Sequence, residues 1–233
     1  MPGRRHLESC AMMRTIAARV RPHQGVRPTR HADRRAARHT QSSTADERGA
    51  RVALSRTARN LDELAALLKE RHARVMEGRP DKSPGRFKTI KNQAGIKVFV
   101  APDQLSCTLA RGFELLTSLS DSFHRAVFMM FLVSEVHPFV DGNGRVARIM
   151  MNAELVVAGE RRIIVPSVFR SNYLSGLKAI SQGGITKTLI KSLDFLQRYP
   201  LGSDFSTYDR ARRQSETTNA FVEGDEGVRP ELP

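Results

Sequence analysis

Twelve consecutive residues, His137-Pro138-Phe139-Val140-Asp141-Gly142-Asn143-Gly144-Arg145-Val146-Ala147-Arg148, constrain this chain more than any other stretch. They gather an imidazole, a carboxylate, two glycines around an amide side chain, and two guanidiniums. The run before them, Ala126 to Val133, is wholly apolar, and Ile149 to Val157 resumes an apolar pattern of helical length. A polar cluster between two core-facing helices is costly to hold together unless something charged binds there.

The flanking segments extend this into an all-α expectation. Asn60 is placed to cap a helix over 61–76 with Leu61, Leu64, Leu67 and Leu68 on one face. Further helices are expected over 105–119, from Asp121 to about 136, and from Gly144 to about 158, with Gly159 as the residue that ends the last. Two more follow near 172–181 and 186–199, hinged at Gly183-Gly184, and a terminal one over 205–220. The exception is β: Phe87 to Lys91 and Ile96 to Val100 alternate apolar and polar residues around Asn92-Gln93-Ala94-Gly95, the pattern of a short hairpin. The organisation read from this is a basic, disordered arm over 1–59, a helical body over 60–200, and a C-terminal helix and tail over 201–233.

The net charge of +14 divides unevenly. Residues 1–60 hold fourteen arginines against four acids, a net of +10, so the body carries only +4. Clustered arginines neutralise phosphates, and a nucleic-acid-binding arm is one reading. No aromatic residue is interleaved for base stacking, which favours a solvated tail over a nucleic-acid partner. Cys10 and Cys107 stand in no ligand-like spacing, so neither a disulfide framework nor a zinc site is expected, and a reducing compartment is. The absence of any apolar run of about 18 residues, and of a secretory h-region, gives an expectation of a cytoplasmic chain with no membrane partner.

The chemistry of the twelve residues is that of an anion site. Glycines at 142 and 144 let backbone N–H groups face a ligand where a helix begins, and the helix dipole adds positive potential. Arg145 and Arg148, three apart, are expected to project from one side of that helix toward phosphate oxygens. Asp141 is a hard oxygen ligand suited to Mg²⁺ between phosphates, and His137 is the group able to take a proton near neutral pH. Such a set serves transfer of a phosphorus-centred group. Two other readings fit worse. Asp-Gly-Asn-Gly as a hairpin turn conflicts with flanks of helical length. The match of 142–147 to the G-x-G-x-x-A dinucleotide fingerprint lacks its flanking strands.

Residues 137–148 match, at every defined position, the H-P-F-x-[D/E]-G-N-G-R-x-x-R signature of the Fic family, and residues 60–200 resemble its helical core with an upstream hairpin. The resemblance implies a protein adenylyltransferase moving AMP from Mg·ATP to a Ser, Thr or Tyr hydroxyl of a protein substrate. It makes His137 the general base, Phe139 the loop's core anchor and Asp141 the Mg²⁺ ligand. Gly142, Asn143 and Gly144 would cradle the phosphates, with Arg145 and Arg148 clamping the triphosphate. The hairpin is similar to the family's flap, with Lys88, Thr89, Ile90 and Lys91 as candidates for target docking. Gly144 stands where related phosphorylating toxins have lysine, which favours AMP transfer; a different nucleotide donor is the enzymatic alternative. Many members are restrained by a helix bearing [S/T]-x-x-x-E-[G/N]. Partial matches at Ser43 to Glu47, followed by Arg48, and at Asn219 to Glu223, followed by Gly224, make Glu47 and Glu223 candidate inhibitory glutamates. A separate, antitoxin-like inhibitory protein is the other source of restraint.

Overall fold

The computed structural model describes residues 56–201, 204 and 206–222. The expected arm, up to residue 55, lies outside them, as do both candidate inhibitory glutamates, Glu47 and Glu223. The described residues hold seven α-helices and one two-stranded antiparallel sheet, as the sequence predicts for fold class. They fall into two compact units, divided after Ala158.

In the first unit, α1 (Leu61–Val75) begins where the Asn60 side chain accepts the N–H of Glu63 at 2.9 Å, satisfying one of the helix's orphan donors. Its inner face is Leu64, Leu67, Leu68, Arg71 and His72, a stripe at helical spacing. Residues 56–59, assigned by the sequence to the arm, lie against this helix: Arg56 pairs with Glu70 at 2.8 Å, and its carbonyl accepts from the buried Arg71. Next come α2 (Leu105–Thr117) and α3 (Ser122–Val136), the latter capped by Asp121, which accepts the His124 N–H at 2.9 Å. Every residue from Ala126 to Val133 is buried, so α3 is the central helix, apolar all round. It packs against α4 (Asn143–Val157) on one side and α2 on the other, while α1 packs on α4. The approach of α2 to α3 is close: a Cβ on Gly112 would overlap the Leu132 side chain.

The hairpin is shorter than the alternation predicts. Only Gln93–Ala94 (β1) and Lys97–Val98 (β2) pair, turning at Gly95-Ile96 with Gly95 at φ 57°. Phe87 to Lys91 form no strand because their hydrogen bonds are used elsewhere. Lys88 N–H donates to the carbonyl of Pro138 at 2.9 Å, and the Asn92 side chain donates to that of Phe139 at 2.9 Å. The segment serves the loop rather than a sheet.

The second unit holds α5 (Arg170–Gly183), α6 (Lys187–Arg198) and α7 (Tyr208–Thr217). Gly184, at φ 63°, ends α5. Leu189 of α6 packs onto Gly176, and Phe169 stacks on Phe195 at 5.7 Å. The turn after α7 is tied back by the Ala220 carbonyl accepting from Ser167 N–H and by Tyr199 bonded to Thr218. Residues 160–166 form the non-helical connector that the sequence predicts.

Candidate active site

The polar residues occupy the loop from α3 to α4 and the first turns of α4. The chain leaves α3 through His137, whose φ of 52° and ψ of 58° are left-handed, an unfavourable setting for a residue with a Cβ. It enters α4 through Gly142, also left-handed at φ 74°. There a Cβ would come within 2.8 Å of the Met76 sulfur, so this glycine is required both by conformation and by space.

Between these bends the loop is bolted from three sides. Asn143, almost fully buried, accepts the Phe139 N–H at 2.9 Å and returns its own N–H to the Phe139 carbonyl at 2.8 Å. That amide is therefore engaged within the loop, its oxygen and one of its N–H groups both on Phe139. The Phe139 ring is buried, stacked on His72 with centroids 3.8 Å apart, and tilted against Phe87. His72 also hydrogen-bonds along its ring plane. Nδ1 accepts the Gly85 N–H at 2.9 Å, which makes Nε2 the protonated nitrogen donating to the Asp141 carbonyl at 3.1 Å. Burial, opposed by that bond, holds His72 below the usual histidine range.

His137 faces a different partner. Its Nδ1 lies 3.3 Å from the Ser134 carbonyl, which assigns the proton to Nδ1 and leaves the lone pair on Nε2. The ring lies flat on Phe99, centroids 3.7 Å apart and planes within 8°. Burial pushes its pKa down to about 4, reinforced by the cations Lys88 and Lys97 and opposed by Ser134 and Asp141. At neutral pH the imidazole is therefore an unprotonated acceptor.

The two arginines have different neighbours. Arg148 folds back along α4, its Nη1 within 3.7 Å of where a Gly144 Cβ would sit, which places a guanidinium beside the helix start. Arg145 instead reaches the end of α1, at 3.3 Å from the Val75 carbonyl and 3.0 Å from the Met76 sulfur. Asp141 is exposed, with one carboxylate oxygen accepting the Gly142 N–H at 2.6 Å. Among the described residues no three His, Cys, Asp or Glu side chains group as a metal cage. A lone carboxylate beside a helix N-terminus nevertheless fits Mg²⁺, which takes most of its ligands from water and substrate phosphates.

Of the proposed docking residues, Thr89, Ile90 and Lys91 are exposed, while Lys88 is 3% exposed and bonded through Nζ to Asn92 at 2.6 Å. Burial lowers its pKa to about 8. Sequence reading missed His72 and Phe99. The first had a signal: it follows Leu64 and Leu68 at intervals of four, a histidine on an apolar stripe. Phe99 had none, because its role depends on where the hairpin folds. His124 bonds Asp121 at 2.6 Å beside the cap of α3.

Comparison with known proteins agrees with the motif. Residues 60–155 match the family model described as Fic/DOC family. Proteins named protein adenylyltransferase Fic from Drosophila grimshawi and Drosophila virilis are 33% and 34% identical over 120 residues, half of this chain and 25% of each relative. The chain thus spans about a quarter of the length of these relatives. Among solved structures, Fic-1 (residues 134–508) from C. elegans superposes with a TM-score of 0.52 at 16% identity, covering 91% of this chain and 73% of that one, a likeness of fold. With the signature loop seated between two packed helices and the family match spanning α1 to α4, residues 60–155 are a Fic/DOC-family domain.

Proposed function

We propose that this domain transfers AMP from Mg·ATP to a serine, threonine or tyrosine hydroxyl of a protein substrate. The observation that carries the reading is the state of His137, a neutral ring with Nδ1 committed to Ser134 and the Nε2 lone pair left to act. In this reaction the substrate oxygen attacks the α-phosphorus while its proton passes to Nε2. The bond from that phosphorus to the bridging oxygen breaks, and pyrophosphate leaves. Backbone N–H groups at 143 and 144, the positive end of α4 and the Arg148 guanidinium stabilise the charge on the phosphates. Asp141 is the residue that would hold Mg²⁺, which when bound neutralises polyphosphate charge. The names of the similar proteins support the donor and the reaction class.

The test is incubation of the purified protein with Mg²⁺, α-labelled ATP and cell lysate. Label should appear on a lysate protein or on the chain itself, and vanish in His137→Ala with the fold intact by circular dichroism. Undiminished labelling in the variant would exclude the base role. Competition by unlabelled ATP, GTP, CTP and UTP reports the preferred donor, with ATP expected to compete most strongly.

A further inference from the structure

The Nδ1 bond to Ser134 fixes one point on the His137 ring but leaves it free to tilt about the line joining nitrogen and carbonyl oxygen. At 3.3 Å that bond is weak, and the left-handed backbone at 137 does not itself dictate the ring plane. A flat surface on one face removes the remaining freedom. Phe99 supplies it, parallel within 8°.

The hairpin is itself anchored to the elements that carry His137. Lys97 and Phe99, two apart on an extended segment, point to the same side. Lys97 forms a 2.6 Å ion pair with Glu135, and Phe99 stacks on His137, so the two side chains land on the last turn of α3 and on the residue that caps it. The Phe99 N–H donates to the Asn92 carbonyl at 3.2 Å, and Asn92 in turn holds the Phe139 carbonyl. One short strand is thus fastened at the helix end and at the loop, with Phe99 between the two points.

We propose that Phe99 is the positioning residue of the His137 imidazole, holding its plane and excluding water from one face so that Nε2 stays aimed and unprotonated. The catalytic meaning of this rests on His137 being the base; the physical hold on the ring does not. Burial is the largest of the influences on its protonation, followed by the Ser134 carbonyl from α3, Lys88 and Lys97 from the hairpin side and Asp141 from the loop; Phe99, stacked on the ring, covers one of its faces.

Titration of the His137 ring by ¹H–¹³C NMR on the full chain tests this, with its signal assigned by loss in His137→Asn. In the wild type the ring should stay neutral well below the usual histidine range. In Phe99→Ala its midpoint should rise by about one unit or more toward the ordinary value. Phe99→Tyr, which keeps a flat ring, should restore the low midpoint. If Phe99→Ala does not fold, Phe99→Leu, apolar but not flat, should give an intermediate shift. In the same samples, AMP incorporation at pH 7 should fall roughly tenfold in kcat for Phe99→Ala with the KM for ATP little changed, and recover in Phe99→Tyr. A midpoint that neither Phe99→Ala nor Phe99→Leu moves overturns the proposal. Absence of AMP transfer in the wild type, with the titration shift intact, overturns the enzymatic reading and leaves the positioning of His137 standing.

Discussion

At the scale of single residues, the loop is stiffened by one amide. Asn143 satisfies both the N–H and the C=O of Phe139, so the bend between α3 and α4 is closed before any ligand arrives. Replacing it by alanine leaves two buried backbone groups to find new partners, of which the carbonyl retains only Asn92. We expect Asn143→Ala to lose about 2 to 3 kcal/mol of stability in urea unfolding. A change below about 0.5 kcal/mol would mean that the amide does not hold the loop. The same pair of bonds gives the Asn143 side chain a structural task within the loop. Its residue type was legible in the motif, but the direction of its amide was not, because that depends on the two left-handed bends around it.

At the scale of elements, the sequence revealed the helices better than the hairpin. Periodic leucines and the caps at Asn60 and Asp121 located α1 and α3 within a residue or two, since these signals are local. The first strand was misplaced because residues of 87–91 make tertiary contacts with the loop, Lys88 N–H with the Pro138 carbonyl and Phe87 with the Phe139 ring, rather than pairing with a neighbouring strand. A spacing of three in Arg145 and Arg148 likewise carries no sign of the bonds from Arg145 to the Val75 carbonyl and the Met76 sulfur at the end of α1. The junction of α1 with α4 is tight at Gly142. Gly142→Ala is therefore expected to destabilise by about 1 to 3 kcal/mol, from left-handed strain and overlap with Met76. Combining it with Met76→Ala should recover only the overlap part, a distinction that thermal melts of the single and double variants will read.

At the scale of the molecule, acid stability should report the buried imidazole. Folding lowers the pKa of His137 from about 6.5 to about 4, so below the higher value the unfolded chain binds a proton that the folded chain refuses. The stability it contributes is complete above about pH 6.5 and is lost as pH falls from there toward 4, a loss on the order of 2 kcal/mol. Melting temperatures measured from pH 7 to 4.5 should fall more steeply in the wild type than in His137→Asn, and parallel curves would refute the assignment. The charge distribution, concentrated in the first sixty residues, bears on solubility and encounter with anions rather than on this pocket. Lys97 and Phe99 reach α3 together only because they are separated by one intervening residue. A single-residue insertion or deletion between that pair would throw one of them to the opposite side, whereas a two-residue change would preserve parity. Chains that diverge here while keeping a working base should therefore differ in length by even numbers.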